Sequence, residues 1–547
     1  MTDVLGTSGG PLLLATLMAP WLALAVFPAL PRRYGAALLP LAALPALVLA
    51  LTGSELTFET TVTVSTGQIF GLDATGRIFL LPAALVWAAA GWQAMTGASP
   101  PGQRLSFAAP WCLALAGSLT LILTQDLLGF YTAMAVMTFA SWGLIVHSRS
   151  RSARAAGRLY LVMMMFGEVA MFTGVAIVMV ATPSAPIPGF AAAAEAGPVA
   201  LALLGLGFAT KLGVLGLHAW LPLAHPAAPS AASAVLSGVM IKAGLLGWWR
   251  ITEPAAGAYP ALGMALVGIG LAAAFYGVLR GLPRDNAKTI LAWSSVSQMG
   301  LVTMLAGATQ LSVEAAPMAW AALAVFVVHH GLNKGALFLG AGHRQAAGDS
   351  TAATSAWLLL WLPALALAGA PLTAGSLAKN VAEEALQPTP VGDWISAVLY
   401  LGTMATTLLM ARLLWCTRPD ALRFRRRVPP GLVPAATLVV LAAFLPWFWF
   451  RDLPAATTAL SASGLVGATW PVLLATGVAL AAGLGPVGLP RQLWRMRPAW
   501  PLLRDWGHHQ LVRMAERERK LQHWTTVGWL LLALVVLMTA AVLPASL

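Results

Sequence analysis

Charge is what this chain has least of. Asp, Glu, Lys and Arg make up 9% of its 547 residues, where a soluble domain carries about 25%. A water-soluble globule is excluded on that ground. Thiols are scarce as well, with Cys112 and Cys416 the only two cysteines. Both lie in or beside apolar stretches, and an iron–sulfur cluster takes roughly four thiolates. No metal or other cofactor is therefore expected on the chain, and electron transfer by it is not expected either. No basic stretch precedes the first apolar run and no small-residue cleavage site follows it, so no removable signal peptide is expected. Nucleotide loops and nucleophile constellations are also wanting, which argues against a self-contained enzyme.

Hydrophobic residues are what is there, 59% of the chain with a mean hydropathy of +0.79. Apolar runs of 18 or more residues recur from end to end, and each is long enough for a bilayer core of about 30 Å. The expected fold is an all-α polytopic membrane protein with about sixteen transmembrane helices. They fall near 11–30, 35–52, 75–97, 105–123, 127–147, 158–181, 198–220, 229–250, 260–279, 288–308, 317–341, 354–386, 394–414, 431–450, 468–489 and 525–545.

The net charge of +13 does not point to nucleic acid, because the basic residues sit between spans. They fill alternate loops: Arg32 and Arg33; Arg104; Arg149, Arg151, Arg154 and Arg158; Arg280 and Arg284; Arg344; Arg418, Arg423, Arg425, Arg426 and Arg427; and 491–524. The other loops are almost free of positive charge, with Arg77, Arg250 and Arg451 at span ends as exceptions. Positively charged loops stay cytoplasmic, so both termini are expected outside, with the protein in a bacterial inner membrane. The 491–524 stretch interleaves Arg491, Arg495, Arg497, Arg513, Arg517, Arg519 and Lys520 with Trp494, Trp500, Trp506 and Trp524. It reads as an interfacial helix, a clamp on a neighbouring subunit, or a solvated basic loop.

Two spans are interrupted. The seventh runs into Leu221-Pro-Leu-Ala-His225-Pro-Ala-Ala-Pro229, and the twelfth, too long for one straight crossing, contains Gly369, Pro371 and Gly375. Breaks are tolerated only where protein or water satisfies the freed backbone groups. The two are five spans apart in order, an odd offset that reverses direction across the membrane. That is the pattern of an inverted repeat with its site near the midplane.

Of 32 basic residues only six are lysine, and four of these, Lys211, Lys242, Lys334 and Lys379, fall inside expected spans. Arginine keeps its proton in a protein, whereas a desolvated lysine can give it up. A charged lysine at the bilayer centre costs about 2.5–3.5 kcal/mol, so the set calls for a reason. Reversible protonation along a path is one; pairing with a buried acid or snorkelling to the interface is the other. Only Glu168 lies well inside a span, and one carboxylate cannot neutralise four lysines. His330 and Lys334 are four apart on one helical face, and an imidazole can pass a proton on. His218 and His225 bracket the seventh-span break, as a proton entry or as caps; with no cysteine or carboxylate at ligand spacing they are poor metal ligands. Ser294, Ser295, Ser297 and Gln298 either hold water beside the lysines or serve packing.

The run Lys211-Leu-Gly-Val-Leu-Gly-Leu-His218-Ala-Trp-Leu-Pro-Leu-Ala-His225-Pro-Ala-Ala-Pro-Ser230, with Ser233-Ala-Val-Leu-Ser-Gly-Val-Met-Ile-Lys242 after it, resembles the antiporter-like membrane subunits. These occur in respiratory complex I, energy-converting hydrogenases and formate hydrogenlyases, and Mrp-type cation/proton antiporters. Asp285-Asn-Ala-Lys288-x-x-Leu-Ala-Trp-Ser294-Ser-Val-Ser-Gln298 and His330-Gly-Leu-Asn-Lys334-Gly-Ala-Leu-Phe carry the same resemblance. It covers about residues 105–415, and its wording is most like the hydrogenase and formate hydrogenlyase branch.

The resemblance implies a fourteen-helix core with two inverted five-helix repeats and broken helices 7 and 12. Residues 1–104 would hold spans 1–3, 105–250 the first repeat, 251–415 the second, and 416–547 the C-terminal helices. It implies that Lys211 is the broken-helix lysine, tuned by an acid, and that Lys242 is the central lysine. His330 and Lys334 would be the connecting pair, Lys379 the terminal site and Glu168 the sixth-span acid. One position departs: the family's fifth-span glutamate is replaced by Ala135, so either Glu168 takes over the pairing or the first half-channel is uncoupled. The expected function is proton translocation within a larger energy-converting complex. Its partners would be other membrane subunits, the lipid bilayer, and a cytoplasmic redox or other soluble module. The rival readings are an Mrp-like cation/proton antiporter subunit moving sodium, a subunit of an inorganic-carbon uptake complex, and a transport-inactive anchor.

Overall fold

The computed structural model describes residues 9–53, 56–60, 68–96, 104–183, 187–348, 351–423 and 430–481. Without water in the bilayer core, every backbone N–H and C=O must bond within the chain, which leaves apolar runs only the helix. The helices in order are α1 (Gly10–Val26), α2 (Arg32–Leu41), α3 (Leu44–Thr52), α4 (Ala74–Thr96), α5 (Arg104–Leu123), α6 (Leu127–Ile145) and α7 (Arg151–Ala181). They continue with α8 (Ala192–Glu195), α9 (Pro198–Leu212), α10 (Leu221–Ala227), α11 (Ser230–Val235), α12 (Lys242–Thr252), α13 (Pro260–Gly281), α14 (Ala287–Leu311) and α15 (Ala316–Ala346). The last are α16 (Thr351–Ala368), α17 (Ala374–Leu386), α18 (Gly392–Cys416), α19 (Val433–Trp449), α20 (Pro454–Leu460) and α21 (Ala462–Ala481). Among the described residues, fourteen helical stretches are long and apolar enough to cross a membrane, and the short α9 adds the first half of the seventh span. The expected sixteenth span and the 491–524 segment lie outside the described residues.

Helix starts carry their own caps: Asp126 accepts from the Gly129 amide at 2.6 Å, Ser150 from Ala153 at 3.1 Å and Asn286 from Thr289 at 3.1 Å. Each satisfies a donor the helix leaves open. The two interrupted spans are interrupted in the structure. The twelfth breaks between α16 and α17, where Gly369 (φ +82°) and Leu372 (φ +63°) adopt left-handed backbone. The seventh breaks earlier than its proline run suggests. Gly213 (φ +74°) and Gly216 (φ +96°) turn the chain directly after Lys211, and the Pro222–Pro226 stretch forms the short α10 instead. Between α11 and α12, Leu236–Met240 is a π-helical turn. The fifteenth span begins at Ala462 rather than near 468, and the seven-residue α20 before it falls between the expected spans, too short to register as a crossing.

A small antiparallel hairpin, Leu56–Thr60 against Gln68–Leu72, is a local addition to the helical fold. It is stitched to the start of α6, where Asp126 accepts from the Ile69 amide at 3.0 Å. Arg250, which stood out as an exception in the charge pattern, is buried in the same region. Its guanidinium donates to the Thr124 and Ile122 carbonyls and pairs with Asp73 at 3.4 Å.

Lipid contact sorts the helices. The most apolar stretches of α14 and α15 are wholly buried, and the α11–α12 span nearly so, while α1 and α21 are mostly exposed. Large apolar side chains such as Phe444, Phe448 and Val180 face outward, as lipid permits and water would not.

Candidate functional site

The buried centre of this helix bundle is where the lysines are. Lys211 occupies the last turn of α9, where free carbonyls at a helix C-terminus favour a cation. Its ammonium donates to the Thr138 hydroxyl at 3.1 Å and the Tyr160 hydroxyl at 3.3 Å. Glu168 on α7 is buried, its charge acts on Lys211, and the Thr138 hydroxyl stands beside it. Thr138 lies on α6 one turn beyond Ala135. The acid that acts on Lys211 is therefore Glu168, with a hydroxyl from the fifth span between the two.

Lys242 opens α12 just after the π-turn. That turn leaves carbonyls without their usual i+4 donors, and the Lys242 ammonium donates to two of them, Ser237 O at 3.2 Å and Gly238 O at 2.7 Å. Gly238 and Gly331 bring this span close to α15: a Cβ on either would stand 3.0 Å from the other's carbonyl oxygen. The Ser237 and Ser295 hydroxyls meet at 2.9 Å. On the next residue, the Ser294 hydroxyl accepts from Lys334, which also donates to Leu291 O at 2.8 Å. Serines of α14 thus bridge the two central lysines. Lys334 has no exposed surface and ranks in size with the largest fully buried side chains. His330 is equally enclosed, stacked on Phe326 at 5.2 Å, and neither ring nitrogen has a hydrogen-bond partner.

Lys379 lies half-buried against the twelfth-span break. It donates to Ala368 O at 2.5 Å, the carbonyl freed where α16 ends, and to the Thr403 hydroxyl at 2.6 Å. Ser297, Gln298 and Thr406 line a small void at the same lysine, so the polar stripe of α14 reaches it too.

Two of the expected residues flank this line without joining its hydrogen bonds. His218 accepts from the Gly216 amide at 3.2 Å and packs against Tyr276 and Trp293, which holds the loop of the seventh-span break. His225 stacks on Phe338 at 4.7 Å, with neither ring nitrogen hydrogen-bonded, beside Lys334 and Lys288.

The sequence reading passed over four contributors. Lys288, the first residue of the expected tenth span, is buried and donates to Ala228 O at 2.6 Å. His329 is buried with Asn333 against its Nδ1 at 3.1 Å, and both Lys379 and Lys242 act on it. Its signal was the His329-His330 doublet. Thr138 and Tyr160 gave none, because a lone hydroxyl in an apolar helix is ordinary.

A family profile described as NADH:quinone oxidoreductase/Mrp antiporter, transmembrane, matches residues 124–385. Over those residues, a little under half of its length, the chain is similar to this antiporter-like membrane family. Glu168, Lys211, His218, His225, Lys242, His330, Lys334 and Lys379 all lie within the matched residues. Hydrogenase-4 component B of Escherichia coli is 32% identical over 239 residues, 42% of this chain and 36% of that protein. The match therefore spans little more than a third of that relative's length. A chain of the Mrp complex from Dietzia sp. DQ12-45-1b superposes with a TM-score of 0.73 at 22% identity, covering 98% of this chain and 63% of that one. A chain of respiratory complex I from Thermus thermophilus gives 0.67 at 20% identity, covering 84% of this antiporter-like chain and 99% of its own. The fold is that of antiporter-like subunits of multi-subunit membrane complexes.

Proposed function

We propose that this chain is a proton-translocating subunit of a larger energy-converting complex in a bacterial inner membrane. The observation that carries the reading is a row of lysines in the helix bundle, with Glu168, acting on Lys211, the one acid among the described residues that lies buried beside them, joined by hydroxyls and carbonyls. A stable ion-pair core would be neutralised in place; this one holds cations that gain by losing their protons. In this reading Glu168 tunes Lys211, and Lys242 and the His330–Lys334 pair carry the proton on to Lys379, with His218 and His225 beside the entry. Residues 105–250 and 251–415 act as inverted halves. Drive comes from a partner, a soluble module docked on the arginine-rich face, and both termini are outside.

The test is Lys242→Ala in the complex reconstituted into liposomes, with proton movement followed under a potassium diffusion potential. At least a tenfold loss of flux with assembly intact is expected, and normal flux would sink the route. Flux that also follows sodium would make the chain a cation/proton antiporter subunit instead.

A further inference from the structure

A cavity of about 650 Å³ opens beside Lys379. At roughly 30 Å³ per water it has room for on the order of twenty molecules. Lys379 forms its inner end. Glu383 and Glu384 of α17, Tyr400 of α18, Thr458 of α20 and Ser463 of α21 stand further along its wall. α20 and α21 lie beyond the fourteen-helix core, so the chain's own C-terminal helices close this chamber.

Glu383 follows Lys379 by four residues, which sets both on one face of α17, one turn apart. Its carboxylate is half-buried and held by the Ser396 hydroxyl, which donates to it from α18. Tyr400, one turn further along α18, faces the same carboxylate. The titratable groups around Glu383 in the chamber are thus Lys379, Glu384 and Tyr400, while α20 and α21 line it without charge.

We propose that Glu383 is the outward relay of the path, with Ser396 as its positioning residue. The step rests on the function proposed above. An N–H bond of the Lys379 ammonium breaks, chamber water carries the proton, and an O–H bond forms on the Glu383 carboxylate. The carboxyl then releases the proton to solvent on the side of the 386–392 loop. Lys379 is left neutral and Glu383 returns to its anion. The Lys379 ammonium is turned to Ala368 O and the Thr403 hydroxyl, so the chamber water is what links it to Glu383.

The test uses the reconstituted complex and the diffusion-potential assay. Glu383→Gln is expected to lower proton flux at least tenfold, and Glu383→Asp to keep most of it. With Cys112→Ala and Cys416→Ser as background, Ser463→Cys is expected to react with a membrane-impermeant cationic thiol reagent, and flux to fall as the chamber fills. Normal flux in Glu383→Gln beside a silent Lys242→Ala would overturn the relay and leave the proposed function standing. Equal losses in the Gln and Asp variants would mark a structural role and overturn it too, as would full modification of the Ser463→Cys variant without effect on flux. Unchanged flux in Lys242→Ala, or none in the wild type, would bring down both readings.

Discussion

A lysine and an arginine carry the same charge and differ in whether they can lay it down. In this chain arginine serves the loops and lysine the interior, and that partition is readable by eye. It located Lys211, Lys242, Lys334 and Lys379 in the buried centre before any coordinates. The partners that hold them were not legible: Thr138, Tyr160 and Thr403 are common residues in apolar helices, and only the fold brings them to an ammonium. His329 was hidden behind its neighbour, since adjacent helix residues point about 100° apart and only one was credited. Lys379→Arg separates charge from exchange. The chamber has room for the larger head group, and the variant is expected to assemble and keep its cation, yet lose proton flux at least tenfold, because guanidinium does not deprotonate. Normal flux would mean that Lys379 acts only as a fixed charge. Thr138→Val removes a hydroxyl of the same shape from Lys211. A loss of about 1–3 kcal/mol is expected for a buried donor left without its partner, read by denaturant unfolding in detergent, with unchanged stability as the contrary result.

At the scale of elements, breaks matter more than spans. Apolar length made the spans easy to place, but the proline run at Pro222–Pro229 drew the seventh break too late. Glycine with left-handed backbone makes the turn, at Gly213, and nothing in the sequence ranks one glycine of this chain above its many others. The hairpin at Leu56–Thr60 and Gln68–Leu72 escaped for another reason: a ten-residue ladder leaves no mark on a pattern read for twenty-residue runs. A side chain at Gly213 would meet both a disfavoured φ of +74° and the Leu221 Cδ1 atom at 2.4 Å, whereas at Gly216, φ +96°, nothing lies within 4 Å. Backbone strain of this kind costs about 1–3 kcal/mol. Gly213→Ala is therefore expected to lower Tm more than Gly216→Ala, and to reduce flux by moving Lys211. Equal Tm values would show that the break tolerates repacking.

At the scale of the whole molecule, the count of crossings decides which surface meets which compartment. Fourteen long helical stretches and one broken one agree in order with the first fifteen expected spans. The arginine-rich ends then fall on one face: Arg149 and Arg151 after α6, Arg344 in the last turn of α15 and Arg418 after α18. Reporter fusions after residue 150 should be active only in the cytoplasm, and fusions after residue 391 only outside. The reverse pattern would invert the direction of transport and place the Lys379 chamber on the entry side. The face is legible from the chain alone because arginine in loops is a statistical signal spread over many positions. The fit of helices around the centre was not, because α14 and α15 look no more apolar than the lipid-facing α21.

Lys242 and Lys334 are both buried, with the Ser237–Ser295 hydroxyl pair and the Ser294 hydroxyl between their spans. Like charges repel strongly where the dielectric is low, and the Lys242 charge acts on Lys334. Two passengers cannot ride in adjoining seats. In the proposed path, a proton resting on one lysine keeps the other vacant until it moves on, so traffic along it proceeds in single file, and its throughput is set by the slowest departure rather than by how many arrivals wait at the door.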